Sequence, residues 1–279
     1  MQDNITNRLK EIELEMLKSF IAICNKFDLN WFVVGGTALG TVRHNGFIPW
    51  DDDIDVAMPR KDYEKFLTIA QENLPDDLFL QNTYTDKEVP WSYSKIRNSQ
   101  TAFIEIPFDK NKFNHGVYID IFPLDGYAYS KLTYRIFELR KKIYNYRIGF
   151  CTYENKEDYK PPFWKKIVQS ILKIIYPHHS DAVRKKDKMY RKYEYEKCDK
   201  ICNFGGAWGL REMMDRKIFD VGTKMIFENI NVNIAVDYDK YLKNMYGNYM
   251  ELPPVEKRTT HHHATVIDLD ASYKKYMEK

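Results

Sequence analysis

The sequence has few of the features that mark secreted, membrane-spanning or disulfide-rich proteins. Its 279 residues include 4 cysteines, at positions 24, 151, 198 and 202, which are too sparse for a disulfide framework and are expected to stay reduced. Cys198 and Cys202 would bind zinc only if histidines joined them from elsewhere. The first ten residues are polar, and no apolar run of about 18 residues occurs. We therefore expect a cytoplasmic protein without a signal peptide or a membrane span.

The sequence also lacks a large excess of either positive or negative charge. The chain has 43 Lys and Arg against 40 Asp and Glu, so its net charge is only +3. A nucleic-acid partner normally requires a clustered basic face, so we expect none here. The hydrophobic share of 44% is typical of a folded protein, and the length allows one large domain or two small ones.

The spacing of apolar residues predicts an α/β (α+β) fold with a mixed sheet and flanking helices. A core over 1–125 is followed by a helical region and C-terminal tail over 126–279, because basic, aromatic stretches with helical spacing extend to about residue 200. Helices are predicted over 4–27, 37–43 and 60–72, and strands over 31–34, 54–58, 91–97, 101–106 and 117–122.

Carboxylates are concentrated in the run Asp51-Asp52-Asp53-Ile54-Asp55. Successive strand side chains point to opposite faces, so Asp53 and Asp55 share one face. A solvated loop is the alternative, but the run lies between apolar residues that should be buried. Crowded carboxylates repel unless a cation compensates them, and hard oxygen ligands favour Mg²⁺ or Mn²⁺.

Another acid, Asp120, is embedded in the apolar strand Tyr118–Phe122, where a charge needs a partner. Two metal ions held by several carboxylates commonly support in-line displacement at phosphorus. Asp53, Asp55 and Asp120 are therefore the candidate catalytic and metal-binding residues.

Glycines and basic residues near these acids are candidates for binding a nucleotide or phosphate. Gly35 and Gly36 separate a predicted strand from a helix, where the backbone can approach a phosphate at the helix N-terminus. Positive charge in this part of the chain could neutralise a diphosphate, although surface solvation is the alternative. The full set of candidates is Gly35, Gly36, Thr37, Arg43, His44, Lys95 and Arg97.

Two stretches, 36–44 and 46–55, closely resemble the signature of the LicD family, whose core is similar to the nucleotidyltransferase superfamily and which includes fukutin-related phosphotransferases. The resemblance continues through 95–97, 115–125, 238–242, 246–250 and Pro253-Pro254. It does not cover roughly 126–200.

The resemblance implies a nucleotidyltransferase-like core and transfer of phosphocholine, or a related phosphoalcohol, from CDP-choline or another CDP-alcohol. The implied acceptor is a sugar of a bacterial cell-surface glycan, lipopolysaccharide or teichoic acid, and CMP is released. It also implies that Asp53 and Asp55 bind metal, with Asp120 as the third acid. One alternative is a nucleotidyltransferase that moves NMP from an NTP. An inactive binding module is disfavoured, because no acid is missing.

The quaternary ammonium of choline cannot donate hydrogen bonds, so aromatic faces are its expected binding partners. Core packing is the alternative for each ring taken singly. The candidates are Trp50, Trp91, Tyr93, Tyr118 and Trp208. Further site candidates are Asp51, Asp52, Asp125 and His262, the last from the His261–His263 cluster, for which a surface position is the alternative.

Residues 163–176 combine apolar residues at helical spacing with three lysines. Such a helix can lie in an anionic lipid interface, which would bring the enzyme to a lipid-linked acceptor at the inner face of the cytoplasmic membrane. Packing against the core is the alternative. The sequence therefore predicts peripheral membrane contact through this segment.

Overall fold

A computed structural model describes residues 2–154, 161–260 and 263–277 of the chain. The helices are α1 (Gln2–Lys26), α2 (Gly35–His44), α3 (Arg60–Asn73), α4 (Lys131–Glu154), α5 (Phe163–Ile175), α6 (His179–Tyr190), α7 (Tyr238–Tyr246) and α8 (Lys274–Met277). The strands are β1 (Phe32–Val33), β2 (Asp55–Pro59), β3 (Leu78–Gln81), β4 (Ser94–Asn98), β5 (Ala102–Glu105), β6 (Val117–Tyr127), β7 (Lys200–Cys202), β8 (Met213–Asp215), β9 (Gly222–Phe227), β10 (Ile230–Ala235) and β11 (Ala264–Asp268).

The main sheet has the strand order β1-β2-β6-β4-β3. Strands β2 and β6 are parallel, whereas β1 with β2, β4 with β6 and β3 with β4 are antiparallel. The far end of β6 continues into β7 and β8. The predicted mixed α/β fold is confirmed.

The core lies where α1 and α3 cover this sheet. Phe20 of α1 is fully buried, with its ring centroid 5.2 Å from that of Phe66 on α3 and 5.5 Å from that of Trp31. Strand β6 is buried along nearly its whole length, so its apolar residues form a continuous run rather than an alternating one. This burial surrounds the acids of β6 with low-dielectric packing.

Several predicted boundaries differ from the structure. Helix α2 begins at Gly35 rather than at residue 37, and β4 begins at Ser94 rather than at residue 91. Strand β3 was not predicted, because its four residues are too few to show periodicity. Beyond residue 200 the chain forms several strands in addition to α7, including the β9–β10 hairpin and β11, which pairs with β5.

Helices α4 and α6 pack through a second cluster of buried side chains that includes Phe137, Tyr144, Val183 and Tyr190. Helix α5 leaves most of its apolar face exposed, with Phe163 78% and Ile174 80% exposed. The alternative of core packing is therefore wrong for most of this segment, although Leu172 is buried. In the ranges that the structure describes, no helix combines the length and apolarity needed to cross a membrane.

Candidate active site

The glycine turn between β1 and α2 lies directly against the carboxylates. Gly35 has a φ of 56°, and a Cβ built there would lie 2.8 Å from Oδ2 of Asp55. A Cβ on Gly36 would overlap Oδ2 of Asp51. The positive φ favours glycine at position 35, and at position 36 a larger residue would require the Asp51 side chain to move. The turn brings the N-terminus of α2 to the acid run.

Thr37 fixes the start of β2 relative to this turn. Its Oγ1 accepts a hydrogen bond of 2.8 Å from the backbone N–H of Asp55, and the N–H of Val34 donates to the Asp55 carbonyl over 3.1 Å. The backbone of Asp55 is thus hydrogen-bonded at both its N–H and its carbonyl, which fixes where its carboxylate begins.

Asp55 and Asp120 are direct partners in the parallel pairing of β2 with β6. Side chains at paired positions of neighbouring strands point to the same face. Burial raises the pKa of Asp55 well above its usual range, and the nearby charges of Asp53 and Asp120 raise it further. This crowding of negative charge is what a divalent cation would relieve.

Lys95 of β4 is the cation that already lies at this centre. Its Nζ is 2.6 Å from Oδ1 of Asp120, and both side chains are almost fully buried. Burial lowers the pKa of Lys95, and Asp120 opposes that effect. Burial likewise raises the pKa of Asp120, and Lys95 opposes it. The ion pair favours the charged form of Asp120 and so opposes the effect of burial.

Three of the five candidate choline-binding rings surround this same ammonium. The Lys95 Nζ lies 3.4 Å from the ring centroid of Tyr118, 5.1 Å from that of Trp91 and 5.6 Å from that of Tyr93. The Arg97 guanidinium also lies 4.5 Å from the Tyr118 centroid and 5.7 Å from the Trp91 centroid. The rings therefore form a cation-binding box, but the cations that they contact here belong to the protein.

A cleft of about 580 Å³ opens beside this box. The β-sheet contributes Lys95, Tyr118 and Asp120 to its lining, and the loop over 203–209 contributes small residues. Helices α4 and α6 complete the lining. The cleft is large enough for a nucleotide-sized ligand.

A family model described as LicD/FKTN/FKRP, nucleotidyltransferase domain, matches residues 28–150. The match includes the glycine turn, the acid run, Lys95 and Asp120. Lipopolysaccharide cholinephosphotransferase LicD of Haemophilus influenzae is 27% identical over 258 residues, which cover 89% of this chain and 92% of that protein. The chain is therefore similar to proteins of the LicD family over the region that carries the candidate site.

Two rickettsial proteins are also similar to this chain, over a shorter part of its length. Uncharacterized protein RP689 of Rickettsia prowazekii is 28% identical over 173 residues, which cover 60% of this chain and 58% of that protein. Uncharacterized protein RT0683 of Rickettsia typhi is 29% identical over 177 residues, 60% of this chain and 49% of that protein.

The other basic candidates make contacts within the protein. Arg97 is buried, and it donates hydrogen bonds of 2.7 Å to Oε1 of Gln81 and to the Gly116 carbonyl. Arg43 donates over 2.8 Å to the Tyr249 carbonyl and over 2.9 Å to Nε2 of His44. These contacts indicate support of the site, whereas Lys95 lies in it.

The remaining aromatic candidates lie apart from the box around Lys95. The guanidinium of Arg258 lies 5.5 Å from the Trp50 ring centroid. Trp208 is 45% exposed and packs edge-on against Tyr246, with ring centroids 5.8 Å apart. Of the five rings, only Trp91, Tyr93 and Tyr118 share one cation.

The other acidic candidates have different surroundings. Asp125 is buried and forms two hydrogen bonds of 2.7 Å to Arg60, which also contacts Asp187. This position gives Asp125 a structural role. Asp52 accepts a hydrogen bond of 2.6 Å from Thr260. Asp51 faces the glycine turn, and His262 lies outside the described residues.

The sequence analysis missed residues that the C-terminal half brings to the site. The hydroxyl of Tyr241 accepts a hydrogen bond of 2.8 Å from the Gly35 N–H. Glu212 is buried and accepts a hydrogen bond of 3.1 Å from the Trp208 N–H. Burial raises the pKa of Glu212 to about 7. Tyr241 lies in a stretch that resembles the family, whereas an isolated glutamate gives no sequence signal.

Proposed function

We propose that this protein is a metal-dependent phosphotransferase that moves phosphocholine from CDP-choline to a sugar of lipopolysaccharide and releases CMP. The observation that carries the proposal is the pair Asp55 and Asp120, in register beneath the glycine turn. Its likeness to the Haemophilus cholinephosphotransferase, over most of both chains, supports the substrate class. Teichoic acid and other CDP-alcohols are the related substrates that the sequence also allows.

The donor atoms at this centre fit a divalent cation. Asp53, Asp55 and Asp120 would hold Mg²⁺ or Mn²⁺, because their oxygens are hard ligands. Burial, and then repulsion by Asp53 and Asp120, raise the pKa of Asp55, and a cation would relieve that repulsion. In the described ranges no three Asp, Glu, His or Cys side chains are already gathered in a metal-binding arrangement, so binding requires local adjustment. The bound cation would supply charge neutralisation at the transferred phosphoryl group.

In the proposed reaction the acceptor hydroxyl oxygen forms a bond to the phosphorus that carries choline. The bond from that phosphorus to the bridging oxygen breaks, CMP leaves with the bridging oxygen, and the hydroxyl proton is released. Positioning and charge neutralisation dominate such reactions. The N-terminus of α2 supplies fixed positive potential at the carboxylate centre, and Lys95 adds a positive charge that pairs with Asp120 before the donor binds.

The ring box provides the recognition of choline in this proposal. A trimethylammonium group would replace the Lys95 ammonium between Trp91, Tyr93 and Tyr118, whose ring positions already suit a cation. Lys95 would then be released from the rings and could move toward the diphosphate. The same cleft would then bind both the trimethylammonium group and the diphosphate of the donor.

The match to a nucleotidyltransferase domain favours one other candidate function, transfer of NMP from an NTP to a small molecule or a macromolecule. The two functions differ in the leaving group. Phosphoalcohol transfer releases CMP from a CDP-alcohol, whereas nucleotidyl transfer releases pyrophosphate from an NTP.

A donor panel tests the proposal. The protein is incubated with Mg²⁺ and with CDP-choline, CDP-ethanolamine, CDP-glycerol or CDP-ribitol, and released CMP is measured; parallel reactions with NTPs are assayed for pyrophosphate. We expect CMP from CDP-choline, dependent on the divalent cation, with Asp76→Asn as an exposed control variant. Pyrophosphate release without CMP release would establish the nucleotidyltransferase instead.

A further inference from the structure

The helical region contributes a group of polar side chains to the cleft, although the sequence analysis found no motif there. Lys141 and Asn145 lie one turn apart on α4, and Lys186 lies on α6. All three line the same cleft as Asp120 and Lys95. They belong neither to the carboxylate centre nor to the ring box.

Lys186 is an unusual lysine because it is only 9% exposed. Its Nζ donates a hydrogen bond of 3.2 Å to Oδ1 of Asn145. Among the described residues no carboxylate lies within 4.0 Å of this ammonium. The adjacent Asp187 instead contacts Arg60, with 3.0 Å between Oδ1 and Nη1. Lys186 therefore carries a buried charge that has no ion-pair partner among the described side chains.

Lys141 adds a second positive charge close to the first. Its Nζ pairs with Glu138 over 2.7 Å, and its side chain is 25% exposed. Burial lowers the pKa of Lys186 to about 8, and the charge of Lys141 lowers it further, while Asp187 opposes both. Two ammonium groups that repel each other at a cleft would be stabilised by an anion between them.

We propose that Lys141, Asn145 and Lys186 form a subsite that binds a phosphate group of a substrate, separate from the carboxylate centre. The proposal rests on the proposed phosphotransferase function. The phosphate comes either from the diphosphate of the donor or from a phosphorylated acceptor glycan. Lysine binds such groups as a compact point charge, and the amide of Asn145 holds the Lys186 ammonium in the cleft.

Binding measurements test this subsite without relying on turnover. Isothermal titration with inorganic pyrophosphate, CDP-choline and phosphorylated lipopolysaccharide is carried out on wild type, Lys186→Gln and Lys141→Gln, with Lys185→Gln as a matched control on the exposed side of α6. We expect roughly tenfold weaker pyrophosphate binding for Lys186→Gln, from the lost charged hydrogen bond, and no change for the control.

The pattern of losses identifies the source of the phosphate. Of the two substrates, weaker binding of CDP-choline but not of lipopolysaccharide assigns the subsite to the donor. Weaker binding of phosphorylated but not of dephosphorylated lipopolysaccharide assigns it to the acceptor. Wild-type affinity should also fall as the pH rises through about 8, whereas Lys186→Arg should keep its affinity because arginine stays charged.

Unchanged affinity of Lys186→Gln and Lys141→Gln for all three ligands would overturn the subsite. If Lys186→Gln fails to fold, Lys141→Gln decides the question, because that partly exposed position tolerates replacement. Pyrophosphate binding tests the subsite even if CDP-alcohols prove not to be donors, so a failure of the subsite and a failure of the proposed function give different results.

Discussion

Asp55 and Asp120 lie side by side on parallel strands β2 and β6, but only Asp120 has a lysine within ion-pair distance. For Asp55, no cation of the described residues forms such a pair. Burial and neighbouring acids raise the pKa of Asp55 well above its usual range. The two adjacent carboxylates should therefore respond differently to the same substitution.

The first prediction concerns Asp55→Asn. The variant should lose transfer activity, because one candidate metal ligand is gone, while its free energy of unfolding without metal stays equal to wild type or rises. The physical reason is that removing a half-buried carboxylate that neighbouring acids repel relieves unfavourable charge. Asp53→Asn should behave in the same way. Thermal melts in the presence of a chelator give the measurement, and a large loss of stability would show that these acids are structural.

Asp120→Asn should behave in the opposite way in the same melts. It leaves the buried ammonium of Lys95 without its carboxylate, and breaking a buried pair is destabilising by about 3 to 5 kcal/mol. The double variant Asp120→Asn with Lys95→Met should recover much of that loss. Equal stability of Asp120→Asn and Asp55→Asn would contradict the asymmetry between the two acids.

The ring box predicts selective loss of choline recognition. Trp91→Leu removes a ring whose centroid lies 5.1 Å from the cation position, so CDP-choline binding should weaken by ~3- to 30-fold while CDP binding stays unchanged. Trp50→Leu is the matched control, since its ring lies against Arg258 instead. Equal losses for CDP-choline and CDP-ribitol would show that the rings only pack.

The exposed face of α5 predicts binding to anionic membranes. Ile171 is 50% and Ile174 80% exposed, and Lys165 and Lys166 lie on the same helix. Sedimentation with vesicles containing phosphatidylglycerol at low salt should recover the wild type. The pair Ile171→Glu and Ile174→Glu should stay in solution, whereas Val221→Glu, at a 65% exposed position elsewhere, should still sediment. A wild type that never sediments would remove this prediction.

The raised pKa of Glu212 predicts that the stability of the protein depends on pH. Burial raises its pKa from 4.5 to about 7 in the folded protein, so its stabilising contribution is complete below about pH 4.5 and is lost as the pH rises through 7. The loss is at most ~3 kcal/mol. Urea unfolding of Glu212→Gln at pH 5 and pH 8 should show a smaller decline than wild type. Parallel declines in the two proteins would rule out this role for Glu212.

The acid run and the glycine turn could be predicted from sequence because their residues are close together in the chain. The pairing of Asp55 with Asp120 could not, since it depends on the register of two strands that are distant in sequence. The sequence also did not predict that Lys95 and Arg97 have different partners. Both side chains share one face of β4, and only the depth of packing places Arg97 on Gln81 and Lys95 at the acids.

Contacts from the C-terminal half show the same limit. Tyr241 reaches the Gly35 N–H from 206 positions further along the chain, and Glu212 supports the 203–209 loop from within buried surroundings. Residue spacing alone does not predict a role in the site for either residue. Local patterns therefore identified the acids, while the walls of the cleft depended on long-range packing.

The most direct test of the central claim follows the two halves of the donor in one reaction. CDP-choline labelled with ¹⁴C in choline and ³H in cytidine is incubated with Mg²⁺, lipopolysaccharide and either wild type or Asp55→Asn. The account predicts that wild type transfers ¹⁴C to the lipopolysaccharide while ³H stays in soluble CMP, and that Asp55→Asn transfers neither. Transfer of ³H to the polymer, or equal ¹⁴C transfer by the variant, would contradict it.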